Sequence, residues 1–493
     1  MSSSAPALDT APLAAPSPRQ VAGLWARHLT SLTVPGIGVA FVATGPHPWY
    51  VAPLFLLPLV LVHDIDCVAR WERAQPDSRL PAWPFDALVY LLAGLQLWLV
   101  AETVLLFTRQ GIFSVDMAMV FVVVGASSGF SIITAHELIH RRRPWERALG
   151  RLLLCSVLYE HFFTEHLRGH HVRVATPEDP ATARFGEGYE EFFRRTLPAQ
   201  LRSAWRLEQR RIGNPGLLDP RLLRNRVLHG LVLEWGIAAA VLAVFGLAAF
   251  VAFALQALVA VRLLEAVNYF EHWGLRRSGR RVRLVDSWDT HSWFTYYGLI
   301  GLSRHADHHA YPARPYQQLR VWDEAPLLPF GYVGMVDLVI GRNDAFQRSA
   351  AVELGRRRLG PFADEAGEGT EVGEEAALAR LEQVQAARSP GAPSFFRRLA
   401  AAIPPPARAA LLFAAVVLAV TTGVQWETGG AEMGFAPRLA LDTWIAGVFA
   451  FSIRARGWLG ERVRLEVASW LLAFGLLLAL GVLGDLARAA LAG

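Results

Sequence analysis

Nine of the fifteen histidines of this 493-residue chain fall into four short groups between His136 and His309. The groups read His136-Glu137-Leu138-Ile139-His140, then Glu165-His166-Leu167-Arg168-Gly169-His170-His171, then Asn268-Tyr269-Phe270-Glu271-His272, and finally Arg304-His305-Ala306-Asp307-His308-His309. Neutral imidazole is a ligand for iron, copper and zinc alike, so clustering of this kind points first to a metal. His136 and His140 are four apart, and so are His166 and His170, and His305 and His309; on a helix such pairs project from one face. One six-coordinate ion cannot use nine imidazoles, so two metals are the simplest inference. The first group alone, a HExxH pair, would suggest a zinc protease with Glu137 as general base, but that reading leaves seven histidines idle. Each group also carries an acid, in turn Glu137, Glu165, Glu271 and Asp307, and Asn268 lies one turn before His272. Metal-bound imidazoles usually give their other N–H to such groups, so these five residues are candidate partners of the ligands.

The elements that must hold these groups are apolar. Hydrophobic residues make up 53% of the chain, charged residues only 18%, and the mean hydropathy is positive. That balance fits a polytopic membrane protein, and the spacing of apolar runs predicts an all-α bundle of about six transmembrane helices. The runs lie near Leu29–Thr44, Pro48–Val62, Phe85–Phe107 and Met117–Thr134, with a pair filling Leu228–Leu264 and turning at Gly246. Gly45-Pro46-His47-Pro48 splits the first two as a hairpin. The net charge of +5 rests on arginine alone, since the chain has no lysine. The arginines sit in loops beside the spans, at Arg70, Arg73, Arg79 and Arg141-Arg142-Arg143 onward, whereas only Arg109 separates spans three and four. That bias places the N-terminus and all four histidine groups on the cytoplasmic side of the inner membrane, and it argues against a nucleic-acid groove. Cys67 and Cys155 are too few for an iron–sulfur module or a disulfide framework, so electrons must come from outside.

The chain divides by composition into a disordered lead at 1–23, a membrane domain at 24–345, a polar linker at 346–400 and a C-terminal membrane extension at 401–493. Residues from Glu190 to Arg211 read as an amphipathic helix at the headgroups. The Glu-, Ala- and Gly-rich stretch from Gly360 to Ser394 reads as a linker with one helix near Glu374–Ala387. In the extension, Ala409–Thr422 and Ser469–Leu486 are apolar enough to span, with Leu439–Phe451 a marginal third. Outside the four groups, His28, His47, His63, His229 and His291 read as ordinary polar positions, and His161 as a neighbour of the site. A metal-binding transporter is the rival from another class, but it requires polar residues within the spans, and those are scarce.

The four groups resemble the histidine boxes of the membrane-bound alkane 1-monooxygenases, within the fatty-acid-desaturase-like family. The run Glu160-His161-Phe162-Phe163 through Val174-Ala175-Thr176-Pro177-Glu178-Asp179-Pro180 carries the resemblance, as do Asn268–Gly274, Arg304–Ala310, and Leu328-Pro329-Phe330-Gly331-Tyr332. It is strong over about His136 to Val339 and does not extend past Gly360. Ile139 and Arg141 stand where that family commonly has Gly and Lys, and Asp286-Ser287-Trp288-Asp289 where His-Ser-Trp-Asn is common. The resemblance implies two non-haem irons on the nine histidines, O₂ as co-substrate, and hydroxylation of the terminal carbon of a medium- or long-chain alkyl substrate drawn from the bilayer. It also implies a rubredoxin-type donor and its NAD(P)H-dependent reductase. An acyl desaturase or hydroxylase would use the same metal site with another outcome.

Overall fold

The computed structural model describes residues 16–388, apart from 50, 69–71, 78, 217 and 364–370. Among the described residues the chain is helical throughout, with one isolated bridge pairing Asp289 with Leu327. Four helices are long and apolar enough to cross a bilayer: Trp83–Leu106, Val115–His140, Arg226–Phe245 and Leu247–His272. They correspond to the third to sixth expected spans. The turn expected at Gly246 is present, with a φ of +86° that glycine adopts without steric cost. Asn225 starts the preceding helix by accepting hydrogen bonds from the Val227 and Leu228 amides.

The first two expected spans are shorter. Thr33–Thr44 has 12 residues and Leu56–Val68 has 13, below the roughly 20 that a crossing needs. Pro46, Pro48 and Pro53 keep the intervening chain from continuing either helix. On its other side Thr33–Thr44 runs back through a 3₁₀ turn, Leu29–Leu32, into a polar helix, Pro18–His28. That helix takes up residues 18–23 of the lead expected to be disordered. Ser17 and Gln20 form a reciprocal capping box and Pro18 occupies the first turn, which together begin the helix. Residues 1–15 lie outside the described part.

The helices Val115–His140 and Leu247–His272 form the centre of the bundle, and each ends on box histidines. They approach closely because Gly125 and Gly129, four apart, face the other helix. A Cβ on Gly125 would lie 2.5 Å from Val259 Cγ1, and one on Gly129 would lie 2.8 Å from Leu263 Cδ1. Small residues at this spacing allow membrane helices to pack backbone to backbone. The expected amphipathic helix is Tyr189–Arg211, and its inner face packs on the same centre. Tyr189, Phe192 and Ala204 are buried there, and the Tyr189 hydroxyl donates to the Arg262 carbonyl at 2.6 Å.

The stretch expected to be a polar linker from residue 346 is instead part of the core. The helix Asn343–Arg357 buries Phe346, Ala350, Ala351 and Leu354 against Tyr269 and Trp273. Asp344, Arg348 and Arg356 lie on its outer face and give the stretch its linker-like composition, while Gln347 is buried and donates to the Glu187 carbonyl. The helix Glu374–Ala387 packs in turn on Asn343–Arg357 through Ala377 and Leu381. Gly360, at φ +60°, meets the chain next to the third box: a Cβ there would stand 2.1 Å from the Gly274 carbonyl oxygen. Ser389-Pro390-Gly391 and the three apolar runs of the extension lie outside the described residues.

Candidate metal centre

The nine box histidines converge into two groups. His136, His140, His166, His171 and His308 form one; His170, His272, His305 and His309 form the other. Helical spacing explains part of this division. His136 and His140, four apart near the end of one span, share the first group, and His305 and His309 share the second. The box between Glu165 and His171 departs from that rule. Residues His166–His170 form a π-helical turn, which brings residues five apart onto one face. His166 therefore pairs with His171, their Nε2 atoms 3.0 Å apart, and His170 turns to the second group. The sequence spacing of four between His166 and His170 suggested the opposite pairing.

Within each group the ring nitrogens face one another. In the first, the Nε2 atoms of His166 and His140 are 3.0 Å apart and those of His308 and His171 are 3.1 Å apart. In the second, His309 and His305 are separated by 3.0 Å, His305 and His272 by 3.2 Å, and His170 and His309 by 3.2 Å. Burial, and then the neighbouring imidazoles, hold His166, His171, His305, His308 and His309 well below the ordinary imidazole range. Their Nε2 atoms face the interior of the group to which each belongs. That arrangement fits a cation. Metal–nitrogen bonds of about 2.1 Å put ligands about 3.0 Å apart at right angles and about 3.4 Å apart at the tetrahedral angle. The observed spacings lie in the range of nitrogens that share one ion. The two groups adjoin: the His171 and His309 rings stack at a centroid distance of 4.4 Å.

Of the five expected ligand partners, Glu271 alone has a described contact with a box imidazole, and it meets the ring nitrogen that faces the other imidazoles rather than the outer one. Its Oε2 lies 3.2 Å from His305 Nε2, while the Tyr332 hydroxyl donates to Oε1 at 2.6 Å. The other three acids are paired elsewhere. Glu137 pairs with Arg141 at 2.8 Å, Glu165 with Arg173 at 2.6 Å, and Asp307 accepts from Trp322 Nε1 at 2.7 Å besides pairing with Arg314. The Asn268 side chain is buried and reaches Glu265 rather than an imidazole. These groups set the rigidity and charge around the boxes rather than orienting single rings.

Two supporting residues stand outside the five expected partners, and of these Asp179 could be read from sequence either as approaching a metal or as part of a turn. Asp179 lies 2.9 Å from His170 Nδ1 and accepts a hydrogen bond from Thr182 at 2.7 Å. Burial works against its charge, yet His170 beside it and the Thr182 hydroxyl hold its pKa below the ordinary carboxylate value. The flanking Pro177 and Pro180 had suited a plain turn equally well, so sequence alone could not choose. Asp289 accepts from the Ala306 amide at 2.7 Å and so anchors the helix His305–Ala310 at its first turn. His161 belongs to neither group; its ring meets Tyr159 edge-on at 4.5 Å, while the neighbouring Phe162 stacks on His166.

Residues 115–338 match the fatty acid desaturase family model. Alkane 1-monooxygenase of Acinetobacter baylyi is 35% identical over 336 residues, covering 64% of this chain and 80% of that protein. Alkane 1-monooxygenase 1 of Alcanivorax borkumensis is 35% identical over 326 residues, again covering 80% of its length. Alkane 1-monooxygenase 1 of Pseudomonas aeruginosa is 44% identical over 216 residues, 42% of this chain and 56% of that protein. The family match spans the helices that carry the histidines, and the first two relatives are covered over most of their length. An all-helical membrane bundle that closes on two imidazole groups, joined to these relatives by sequence, makes this chain a member of the alkane 1-monooxygenase family of desaturase-like oxidoreductases.

Proposed function

We propose that the chain hydroxylates the terminal carbon of medium- or long-chain alkanes, or related alkyl substrates, using O₂ and two electrons per turnover. The observation that carries this reading is the pair of adjoining imidazole groups at one end of an apolar bundle. Two irons held by His136, His140, His166, His171 and His308, and by His170, His272, His305 and His309, would supply the redox chemistry that activates oxygen. The chain itself excludes water by burying the imidazoles and fixes His170 through Asp179 on its outer ring nitrogen. Outer partners of this kind typically contribute about 10- to 100-fold to metal affinity. Asp179→Ala should weaken metal retention by about that factor, read by competition with a chelator, and unchanged retention would remove Asp179 from the centre.

The arginine bias of the loops supports a site on the cytoplasmic face of the inner membrane, where soluble electrons arrive. Reporter fusions after Arg143 and Arg277 should then report one side and a fusion after Arg109 the other; a periplasmic signal at Arg143 would reverse the topology. An acidic rubredoxin-type donor with its reductase fits the basic surface. An open groove of about 460 Å³ lined by Arg184, Arg194, Arg202, Arg206 and Arg210 also has Asp179 in its wall. Exposed charge attraction is screened by salt, and steering contributes about 10-fold or more to association at low salt. Joint reversal of Arg206 and Arg210 to Glu should therefore raise the half-saturating donor concentration by about 10-fold, with the difference shrinking as salt rises.

The family model is named for fatty acid desaturases, so an acyl substrate is the second reading. Product analysis of cells fed n-alkane or fatty acid separates the two. The 1-alkanol is expected; an alkene or hydroxy-acid without any alkanol would favour the acyl outcome.

A further inference from the structure

The carboxylates around the nine histidines are not neutralised evenly. Glu137 follows His136 in the chain, Glu165 precedes His166 and Asp307 precedes His308; these three histidines belong to the five-imidazole group. Each of the three acids pairs with an arginine, in turn Arg141, Arg173 and Arg314. Two other carboxylates touch the four-imidazole group directly, and neither has an arginine ion pair among the described residues. Asp179 Oδ2 lies 2.9 Å from His170 Nδ1, the outer ring nitrogen, and Glu271 Oε2 lies 3.2 Å from His305 Nε2, the inner one.

Uncharged donors hold both carboxylates in place. The Thr182 hydroxyl donates to Asp179 Oδ2 at 2.7 Å and the Ala181 amide to Oδ1 at 3.2 Å, while the Tyr332 hydroxyl donates to Glu271 Oε1 at 2.6 Å. Asp179 is 2% exposed and Glu271 1%, so water screens them little. Among the described residues, His170 is the box imidazole whose outer nitrogen meets a carboxylate.

A carboxylate on the outer nitrogen draws the imidazole N–H toward itself and makes the metal-facing nitrogen a stronger donor. Stronger donation and nearby negative charge favour the more highly charged form of an ion, so they lower its reduction potential; burial and hydrogen bonding around the ligands are the means a protein has for this. The arginines beside the other group offset its acids, and its ion lacks that bias. We propose that the two ions are electronically inequivalent: Asp179 and Glu271 give the four-imidazole ion the lower reduction potential, so the first electron of a turnover rests on the five-imidazole ion. Each step is a one-electron reduction of ferric to ferrous iron, with no bond made or broken. The proposal rests on the diiron reading and adds an order of filling to it.

Reductive titration of the purified iron-loaded protein with dithionite and mediators, followed by Mössbauer spectroscopy, reads the two steps without substrate or turnover. The parent should pass through a half-reduced form with one ferrous and one ferric ion. Asp179→Asn keeps the volume and an acceptor for His170 but removes the charge. At saturating iron the lower of its two steps alone should move up, by about 10-fold in equilibrium constant or about 59 mV for a one-electron couple. His171→Ala, which should leave only the four-imidazole ion, identifies that step: adding Asp179→Asn to it should cause the same shift. Parent-like spacing of the steps in Asp179→Asn, or movement of the higher step instead, overturns the proposal. Should Asp179→Asn lose its iron, Glu271→Gln carries the same decision, with a raised lower step as support and parent-like spacing as refutation. A parent that holds two irons and reduces both in one unresolved step overturns the inequivalence but leaves the diiron reading standing. A parent that binds a single iron refutes that reading, and the proposal with it.

Discussion

His170→Ala and His171→Ala should each remove one metal per chain, but from different groups, although the two residues are neighbours. The π-helical turn at His166–His170 sends His171 to the five-imidazole group and His170 to the four-imidazole group. Metal content should drop from about two to about one per chain in each variant, and turnover should fall by more than the roughly 100-fold that an outer partner contributes. Spectroscopy of the remaining ion tells them apart: His171→Ala should leave the site of His272 and His305, and His170→Ala the site of His136 and His308. Identical residual spectra would contradict the partition, even with both variants inactive. A pairing by fours would instead make His166→Ala and His170→Ala the matching pair.

Cutting the chain after Gly341 should prevent folding, whereas a cut after Pro390 should leave metal binding intact. The first cut removes Phe346, Ala350, Ala351, Leu354 and Phe362, which pack on Tyr269 and Trp273 beside the third box. Truncating one buried Phe alone to Ala typically costs about 3–5 kcal/mol, and net stabilities are only about 5–15 kcal/mol. The two Phe losses alone approach that margin. Yield of monodisperse protein in detergent, followed by metal analysis, compares the two cuts. A folded, metal-loaded product ending at Gly341 would show that the helix Asn343–Arg357 is an accessory, and that the core closes without it.

The metal chemistry was legible in the sequence because imidazoles in four short groups have few other uses. The spans were legible because a bilayer demands long apolar helices. The partition of ligands was not, since a π-helical turn leaves no mark in residue types: His166, His170 and His171 read as a spacing of four. Asp179 was visible only as one acid among prolines, because its partner His170 is recognisable only once the backbone is folded. The helix Asn343–Arg357 was mistaken for linker because Phe346 and Leu354 share its buried face with Gln347, Ala350, Ala351 and Gly355, and charged residues fill much of the rest. Small side chains add little to hydropathy, yet they pack as closely as large ones.

The most direct test pairs iron content of the purified protein with products from cells fed n-alkane. Two irons per chain and a 1-alkanol are expected, with iron falling to about one per chain and the alkanol lost in both His170→Ala and His171→Ala. A protein that forms 1-alkanol with one iron or none, or that holds two irons and oxidises no alkyl chain, would contradict the assignment of the nine histidines to a diiron hydroxylase.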